Sequence, residues 1–287
     1  MTPRLIGCRE AIASVIAQWC SHWELICVNN GSTQACIEEI LNEYIRSESR
    51  IKVVTLAKNA GIAGGVNAGM NASSGELIAW MDHDDYLEPD AVYKFLQAYR
   101  ATNADLLYCD ELITDQNLDC IRYVAARPAY SWDYYLAHPY FVHMVCVTRS
   151  LLNKVKGWNE SMPVSGDVDF ILRCQEHAKL VAHIPSVLYR WRTHSGSAGH
   201  QMKDFVTSAT LAALNRHLAR TTPGAVATAG LGFNFYRIDF PDDHGKVLVV
   251  IPIKNEGQLL KLCLESIFAT TQSAEVDIVV LITNLTV

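Results

Sequence analysis

The chain has 287 residues, of which half are hydrophobic and 19% are charged, and its formal net charge at pH 7 is −6. This composition is typical of a globular protein with one large core or two smaller ones. The acidic balance argues against nucleic acid as a partner, because surfaces that bind nucleic acid are basic.

The nine cysteines are scattered, and no two of them form a Cys-x-x-Cys pair. This pattern favours buried thiols in a reducing compartment over disulfides or zinc ligands. The amino-terminal residues lack the long apolar segment of a signal peptide, and no uninterrupted apolar run approaches the length of a membrane span. The sequence therefore predicts a cytoplasmic protein without a membrane span, and peripheral association with a membrane through partners stays compatible with this prediction.

The first part of the chain alternates between helical and strand-like spacing of apolar residues. In chain order the pattern predicts a helix over 8–19, a strand over 23–28, a helix over 34–48, a strand over 51–56, a helix over 62–72 and a strand over 77–81. This alternation indicates an α/β fold with a mostly parallel sheet flanked by helices. In such sheets, ligands bind beyond the carboxyl ends of the strands.

Polar loops follow the three predicted strands, over residues 29–32, 58–61 and 82–85. The third loop contains three carboxylates within four residues, those of Asp82, Asp84 and Asp85. Clustered carboxylates repel one another, so they commonly hold a cation, and oxygen ligands suit Mg²⁺ or Mn²⁺. A solvated acidic turn is the alternative explanation, because Asp-x-Asp taken alone is common. Asp85 is also expected to cap the following turn.

Further elements are predicted over 89–100, 104–109, 131–136, 143–148, 150–155, 167–176, 179–192 and 205–218. The predicted elements over 179–192 include enough apolar residues for a pair of strands. Residues rich in Thr, Ala, Gly and Pro then indicate a linker over 221–245. A strand over 247–251, a helix over 259–268 and a strand over 276–282 follow, and the helix at 262–269 is similar to that at 10–17.

Three motifs together resemble a known family. They are Trp23-Glu-Leu-Ile-Cys-Val-Asn-Asn-Gly-Ser-Thr33, Asn59-Ala-Gly-Ile-Ala-Gly-Gly-Val-Asn67 and Gly75-Glu-Leu-Ile-Ala-Trp-Met-Asp-His-Asp-Asp85. This ordered series resembles the family 2 glycosyltransferases of the GT-A fold, of the type that builds bacterial O-antigen and other surface polysaccharides. The resemblance continues through 107–111, 166–173 and 183–197, and it covers about the first two hundred residues.

The resemblance implies that the chain transfers a sugar from a nucleotide-diphospho-sugar donor to a hydroxyl group of a saccharide or lipid-linked saccharide acceptor. Such transfer belongs to polysaccharide and glycan biosynthesis. It implies inversion at the anomeric carbon and dependence on Mg or Mn. The alternative is a truncated, catalytically silent module that binds nucleotide-sugars or acts as a scaffold.

The same resemblance implies roles for individual residues. Asp82 would contact the ribose or the metal, Asp84 would bind the metal, and His194 would contact the metal or the diphosphate. Asp167 would be the catalytic base, although it could instead cap the helix that it begins, with Ser165 as a rival cap. His194 could equally be a solvated loop residue.

Three asparagines match positions near the nucleotide, and they are Asn30, Asn59 and Asn67. Asn30 belongs to an Asn-Asn pair that stands where the family usually has two acidic residues, and an amide can still bond the edge of a base. Asn59 could equally serve as the turn residue before Gly61.

One departure from the family affects the predicted domains. Most members begin with a strand in front of the first helix, and Met1 to Gly7 are too short and poorly patterned to supply it. We therefore predict a GT-A domain over 1–220 that lacks its usual first strand, a linker over 221–245, and the start of a second, truncated domain over 246–287. The strand beginning at Lys246 could fill the gap or could begin that second domain.

Overall fold

A computed structural model describes residues 3–193, 202–241, 245–271 and 276–282, and the side chains from Ile6 onward within them. The chain divides into two compact units, Met1–Asp239 and Phe240–Val287. No helix in the described ranges is both long enough and apolar enough to cross a membrane.

The first unit contains most of the secondary structure. Its helices are α1 (Pro3–Ile16), α2 (Ala35–Ser47), α3 (Gly61–Ala72), α4 (Ala91–Thr102), α5 (Trp132–Ala137), α6 (Arg149–Val155), α7 (Gly166–His177) and α8 (Lys203–Thr221). Its strands are β1 (Leu25–Asn30), β2 (Ile51–Leu56), β3 (Leu77–Ala79), β4 (Tyr86–Leu87), β5 (Leu106–Thr114), β6 (Ile121–Ala125), β7 (Val145–Thr148), β8 (Val181–Arg192), β9 (Val226–Ala229) and β10 (Tyr236–Asp239). Helices and strands alternate through much of this unit, as predicted for an α/β protein.

Six of these strands form one sheet in the order β3-β7-β5-β8-β4, with β6 also paired to β5. Within it only the β5–β8 pair is parallel, because β7 runs antiparallel between β3 and β5, and β4 and β6 also pair antiparallel. The prediction of a mostly parallel sheet is therefore corrected to a mixed sheet. β1 and β2 form a separate parallel pair.

The core lies on both faces of β5, and the alternation of its side chains assigns each residue to one face. Leu106 and Tyr108 pack with α5, α6, α7 and α8, whereas Leu107 and Cys109 pack with α1 and α4. These four residues are completely buried. The central strand is thus covered by helices on both sides, and its rigid frame carries the loops described below.

The β1–β2 pair is less well covered than the main sheet. Residues 25–28 are apolar and yet only half-buried, whereas all four residues of β7 are buried. No strand precedes α1 among the described residues. β1 has a partner strand on one of its two edges only. This explains why apolar side chains suited to a central strand stay partly exposed.

Two predictions about later segments need correction. The predicted linker over 221–245 contains the antiparallel hairpin β9–β10, and Ala227 and Tyr236 from it are buried in the main core. Asn215 of α8 holds the hairpin by bonding both the N–H and the carbonyl oxygen of Ala227. The predicted pair of strands over 179–192 is the single strand β8, because it pairs with β5 along most of its length.

The second unit consists of β11 (Val247–Ile253), α9 (Gly257–Thr270) and β12 (Val276–Ile282). Its two strands pair in parallel over seven positions. None of the described residues of this unit is buried. A two-stranded unit of this kind has too little core to be stable by itself.

The distribution of buried residues predicts the result of removing the second unit. All buried residues in the described ranges lie at or before Tyr236. A chain that ends after Asp239 is therefore expected to keep its Tm within about 3 °C of the full chain, by differential scanning calorimetry. Aggregation of the shortened protein, or a much lower Tm, would show that the first unit depends on residues 240–287.

Candidate active site

The loop at 82–85 follows β3 and is held in place by β8, which lies more than one hundred residues further along the chain. The hydroxyl group of Tyr189 donates to Oδ2 of Asp85 at 2.5 Å and accepts from the N–H of Asp82 at 3.2 Å. The N–H of Arg192 donates to the other carboxylate oxygen of Asp85 at 2.8 Å, and its guanidinium donates to the carbonyl oxygen of Asp84. The conformation of this loop therefore depends on β8 as well as on β3, which it follows.

Asp85 is only 1% exposed, and its carboxylate bonds β8. The prediction that Asp85 caps the next turn is therefore wrong. Burial and the nearby charge of Asp82 raise the pKa of Asp85 to about 7, while the hydrogen bonds from Tyr189 and Arg192 act in the opposite direction. Asp85 therefore anchors the loop from inside.

Tyr189→Phe tests this anchoring. The variant removes the hydroxyl group that bridges Asp82 and Asp85, and it leaves the buried Asp85 carboxylate with one donor fewer. We expect the free energy of unfolding to fall by about 1–3 kcal/mol, measured by urea denaturation. Tyr86→Phe, in the neighbouring strand β4, is the matched control and is expected to change stability by about 0.5 kcal/mol or less. Equal stability of parent and Tyr189→Phe would contradict the anchoring role.

The carboxylates of Asp82 and Asp84 differ in their surroundings. The side chain of Asp82 is 57% exposed, and that of Asp84 is 17% exposed. Asp84 lies against α1, where a Cβ atom added to Gly7 would come within 3.0 Å of the Cβ atom of Asp84. Only a residue without a side chain fits at position 7 without moving this loop.

A metal ion must draw its ligands here from few protein groups. Among the described residues, no three His, Cys, Asp or Glu side chains form a ready-made metal site. Asp82 and Asp84 nevertheless offer the hard oxygen ligands that Mg²⁺ and Mn²⁺ prefer. Mg²⁺ is commonly held by one or two carboxylates, with substrate phosphates and water completing its coordination. The donor set therefore fits such an ion when it arrives with a diphosphate.

His143 lies between the Asp82 loop and the main sheet. Its Nε2 is 4.0 Å from Oδ2 of Asp82, and its Nδ1 is 4.0 Å from Oε2 of Glu111. The imidazole stacks on Tyr189 with ring centroids 5.5 Å apart. Burial disfavours the imidazolium ion, but the surrounding carboxylates, with Asp82 and Glu111 the strongest, raise the pKa of His143 above its usual value.

Asp167 lies in the first turn of α7, near this histidine. Its Oδ1 accepts from the N–H of Val168 at 2.8 Å. Burial raises the pKa of Asp167, whereas the charge of His143 lowers it and that of Asp82 raises it further. Electrostatic interaction thus connects Asp82, His143 and Asp167, although the loop of Asp82 and the helix of Asp167 are far apart in the sequence.

Ser165 occupies the N-cap position of α7, with φ of 56°, but its side chain makes no capping bond. Its hydroxyl group donates instead to the carbonyl oxygen of Val206 and accepts from Thr210. Both contacts tie the loop to α8. The loop in front of Asp167 is therefore held by α8, and Asp167 itself satisfies one N–H group of the first helical turn.

Asn30 and Asn59 lie together after β1 and β2, and both are already hydrogen-bonded. Asn30 donates to the carbonyl oxygen of Gly61 at 2.8 Å and accepts from the N–H of Ala60 at 2.8 Å. Asn59 accepts from the N–H of Gly61 through its Oδ1 at 2.8 Å. These bonds join the two polar loops into one rim, as expected for a turn residue at Asn59. Contact with a nucleotide stays a prediction for both residues.

Asn67 has a different position. It donates to the carbonyl oxygen of Trp158 and to Glu160, and it accepts from the N–H of Trp158 at 2.7 Å. Asn67 therefore fastens α3 to the loop after α6. Trp158 is buried against Trp80 and Phe170, which agrees with a core role. A nucleotide contact by Asn67 also stays a prediction.

The remaining expectations from the sequence fall into two groups. His194 lies outside the described residues, which end at Thr193 in this part of the chain. The strand predicted over 104–109 is longer than predicted, because β5 continues through Asp110 and Glu111 to Thr114. Both acids are buried, and they bond His183 and Arg127 respectively.

Tyr189, Arg192 and His143 were not identified from the sequence. Tyr189 and Arg192 lie in a strand of ordinary appearance, so no local pattern distinguishes them. A weak signal was present at His143, a polar residue that interrupts the apolar run from Tyr140 to Val147. A polar residue at such a position is typical of a buried side chain with a partner.

The sequence is similar to known glycosyltransferases. Residues 8–135 match the family model described as glycosyl transferase family 2. The chain is 30% identical over 285 residues to the O-antigen biosynthesis protein RfbC of Myxococcus xanthus, covering 97% of the chain and 22% of that protein. It is 26% identical over 216 residues to the chondroitin synthase of Escherichia coli, covering 74% of the chain and 30% of that protein. The chain thus spans less than a third of the length of these two relatives.

Solved structures share the fold at low sequence identity. S. aureus TarS 1-349 in complex with UDP-GlcNAc superposes with a TM-score of 0.59 and 16% identity, covering 76% of the chain and 71% of that structure. The mannosyltransferase PcManGT from Pyrobaculum calidifontis, in complex with GDP-Man and Mn²⁺, gives a TM-score of 0.55 and 13% identity, covering 75% of the chain and 60% of that structure. These neighbours confirm the predicted α/β fold of the GT-A type.

Proposed function

We propose that this chain transfers a sugar from a nucleotide-diphospho-sugar to a hydroxyl group of a saccharide or lipid-linked saccharide during polysaccharide synthesis, because its residues 8–135 match the family model described as glycosyl transferase family 2. One observation of the structure carries the proposal. Asp82 in the loop after β3 lies 4.0 Å from His143, and Asp167 in the first turn of α7 interacts electrostatically with the same histidine. A group that holds the donor and a group that takes a proton are both needed for this transfer.

Asp167 is the proposed base. It accepts the proton of the acceptor hydroxyl group while that oxygen attacks the anomeric carbon of the donor sugar. The new carbon–oxygen bond forms as the bond from the anomeric carbon to the diphosphate oxygen breaks, and the nucleotide diphosphate leaves with the bonding electrons. A single displacement of this kind inverts the configuration. The pKa of Asp167, raised by burial, makes its carboxylate a stronger base.

Asp82 and Asp84 are the residues that would hold Mg²⁺ or Mn²⁺. When bound, the ion would neutralise negative charge on the diphosphate. Tyr189, Asp85 and Arg192 keep this loop in position, and Nε2 of His143 lies 4.0 Å from Oδ2 of Asp82. His194 stays a proposed additional contact with the metal or diphosphate.

The rim formed by Asn30 and Asn59 is the proposed place for the nucleotide. It lies beyond the carboxyl ends of two parallel strands, where α/β sheets bind ligands. Both side chains are bonded to the 59–61 loop and fix the shape of this rim. Asn67, on α3, stays a separate proposed contact with the nucleotide. The structures of the TarS complex with UDP-GlcNAc and of PcManGT with GDP-Man support a nucleotide-sugar donor.

We further propose that residues 246–287 begin a second domain of the same kind. The order strand–helix–strand of β11, α9 and β12 is that of the predicted repeat, and the matched relatives are several times longer than this chain. Nucleotide-sugar donors are cytoplasmic metabolites, so the cytoplasm is the proposed location, with peripheral membrane association if the acceptor is lipid-linked.

The proposal is tested by offering the purified chain a set of nucleotide-sugars that includes UDP-GlcNAc and GDP-mannose, with Mn²⁺ or with EDTA. Release of the nucleotide diphosphate in the presence of metal, measured by a coupled assay, is the expected result for at least one donor. A rise in Tm with UDP and Mn²⁺ but no release with any donor would favour the silent binding module. If the chain neither binds UDP nor releases nucleotide diphosphate from any donor, the proposed function is wrong.

A further inference from the structure

Several large apolar side chains form an exposed surface beside α5 and the β9–β10 hairpin. We define this aromatic surface by Tyr134, His138, Leu231, Phe233 and Phe235. The three rings of Tyr134, Phe233 and Phe235 are between 41% and 49% exposed, and Leu231 is fully exposed. A cluster of exposed apolar residues commonly marks a binding site, because isolated ones are ordinary but groups of them are not.

The rings of this surface are stacked on one another and on the core. His138 stacks on Phe235 with centroids 4.4 Å apart and planes 8° from parallel. Tyr134 lies 5.7 Å from His138 and stacks at 4.8 Å on Tyr140, which is buried. Tyr134 is therefore held by a buried ring and Phe235 by His138, so little conformational entropy of these two rings is lost when a ligand covers them.

The hairpin loop that carries two of the rings has a fixed conformation. Asn234 lies in the left-handed region with φ of 63°, and its carbonyl oxygen is 2.8 Å from Nδ1 of His138. The N–H of Gly230 donates to the carbonyl oxygen of Phe235, and a Cβ atom at Gly230 would come within 2.7 Å of that oxygen. The turn thus requires a glycine, and it holds Phe235 beside α5.

The first turns of α8 contact both the aromatic surface and the loop in front of the proposed catalytic base. Lys203 at the start of α8 lies 5.7 Å from the ring of Phe233. One helical turn later, the carbonyl oxygen of Val206 accepts from Ser165, two residues before Asp167. Three residues of α-helix advance about 5 Å along the axis. Residues of α8 one helical turn apart therefore contact the aromatic surface and the loop that precedes Asp167.

The chemistry of this surface favours a saccharide. The flat carbon–hydrogen face of a pyranose ring packs against an aromatic face, while its hydroxyl groups keep their hydrogen bonds to water or to nearby polar groups. Binding to an anionic membrane would need a cluster of basic residues. Lys203 lies beside Phe233, Arg237 is the one basic residue in the described hairpin over 226–239 and is paired with Asp239, and the whole chain carries a net charge of −6.

We propose that the aromatic surface binds the sugar rings of the acceptor and leads its terminal hydroxyl group to Asp167. This inference rests on the proposed function, because it names where the acceptor of that reaction binds. The experiment that tests this inference uses neither a donor nor a metal ion. A failure to bind saccharide is therefore distinguishable from a failure of the transfer reaction.

The experiment is saturation-transfer difference NMR with cellotetraose, chitotetraose and chondroitin tetrasaccharide. At least one is expected to receive saturation on its ring protons, and the double variant Phe233→Ser/Phe235→Ser is expected to raise its dissociation constant about tenfold or more. Phe235→Tyr keeps the ring face and is expected to bind within about twofold of the parent. Tyr93→Ala is the matched control, because Tyr93 is an equally exposed ring on α4, on the opposite face of the main sheet.

Three results would overturn the proposal. The first is that no tetrasaccharide binds, and the second is that the double Ser variant binds as tightly as the parent. The third is that the protein binds no saccharide but sediments with vesicles of phosphatidylcholine and phosphatidylglycerol, and does so only when Phe233 and Phe235 are present. Circular dichroism of each variant shows whether it is folded, and the half-exposed positions of the two phenylalanines make folding of the variants the expected result.

Discussion

Replacing Asp167 by Asn is expected to lower kcat for sugar transfer by about a thousandfold, which is within the range that general base catalysis contributes. The amide keeps the shape of the side chain, and its oxygen can still accept from the N–H of Val168. It cannot take the proton of the acceptor hydroxyl group. Donor binding is expected to be unchanged, because the role proposed for Asp167 concerns the acceptor alone.

The measurements are steady-state kinetics of transfer and calorimetric titration with the donor nucleotide. Asp133→Asn is the matched control, because Asp133 is an exposed acid in the first turn of another helix, α5, and its loss should leave kcat within about twofold. If transfer and donor binding fall together in Asp167→Asn, Asp167 contacts the donor or supports the fold and is not the base.

Replacing Asp84 by Ala is expected to abolish the dependence of nucleotide binding on Mn²⁺, with affinity in the presence of metal about a hundredfold lower than that of the parent. Two carboxylates are available to the ion in the 82–85 loop, and the variant removes one of them. Stability should change little, because removing one of three neighbouring carboxylates also relieves their mutual repulsion. The anchor formed by Asp85 and Tyr189 is left in place.

Calorimetric titration with UDP, with Mn²⁺ or with EDTA, measures this effect, and a thermal melt shows that the variant is folded. Asp119→Ala makes the same change of charge at an exposed turn after β5 and serves as the control. Equal affinity of parent and Asp84→Ala in Mn²⁺ would remove Asp84 from the metal site. Loss of affinity in EDTA as well as in Mn²⁺ would show that Asp84 contacts the nucleotide without the ion.

The sequence by itself determined the local elements and the place of the acidic loop. β2 and β12 begin and end where their apolar spacing predicts, at 51–56 and 276–282. The spacing of side chains along a strand or helix is a local property, so it can be read from neighbouring residues. Asp82 and Asp84 were identified in the same way, because an apolar strand that ends in carboxylates is visible within ten residues.

Only the tertiary structure decided which carboxylate of the acidic loop is buried. Asp85 differs from Asp82 and Asp84 because Tyr189 and Arg192 reach it from β8, and the sequence contains no local sign of that pairing. The hairpin β9–β10 was also not predicted, since its small residues resemble those of a linker. Its packing in the core and its bond to Asn215 of α8 are seen only in the tertiary structure. Contacts between distant segments depend on how the sheet pairs, and for that reason local periodicity predicts the strands but not their partners.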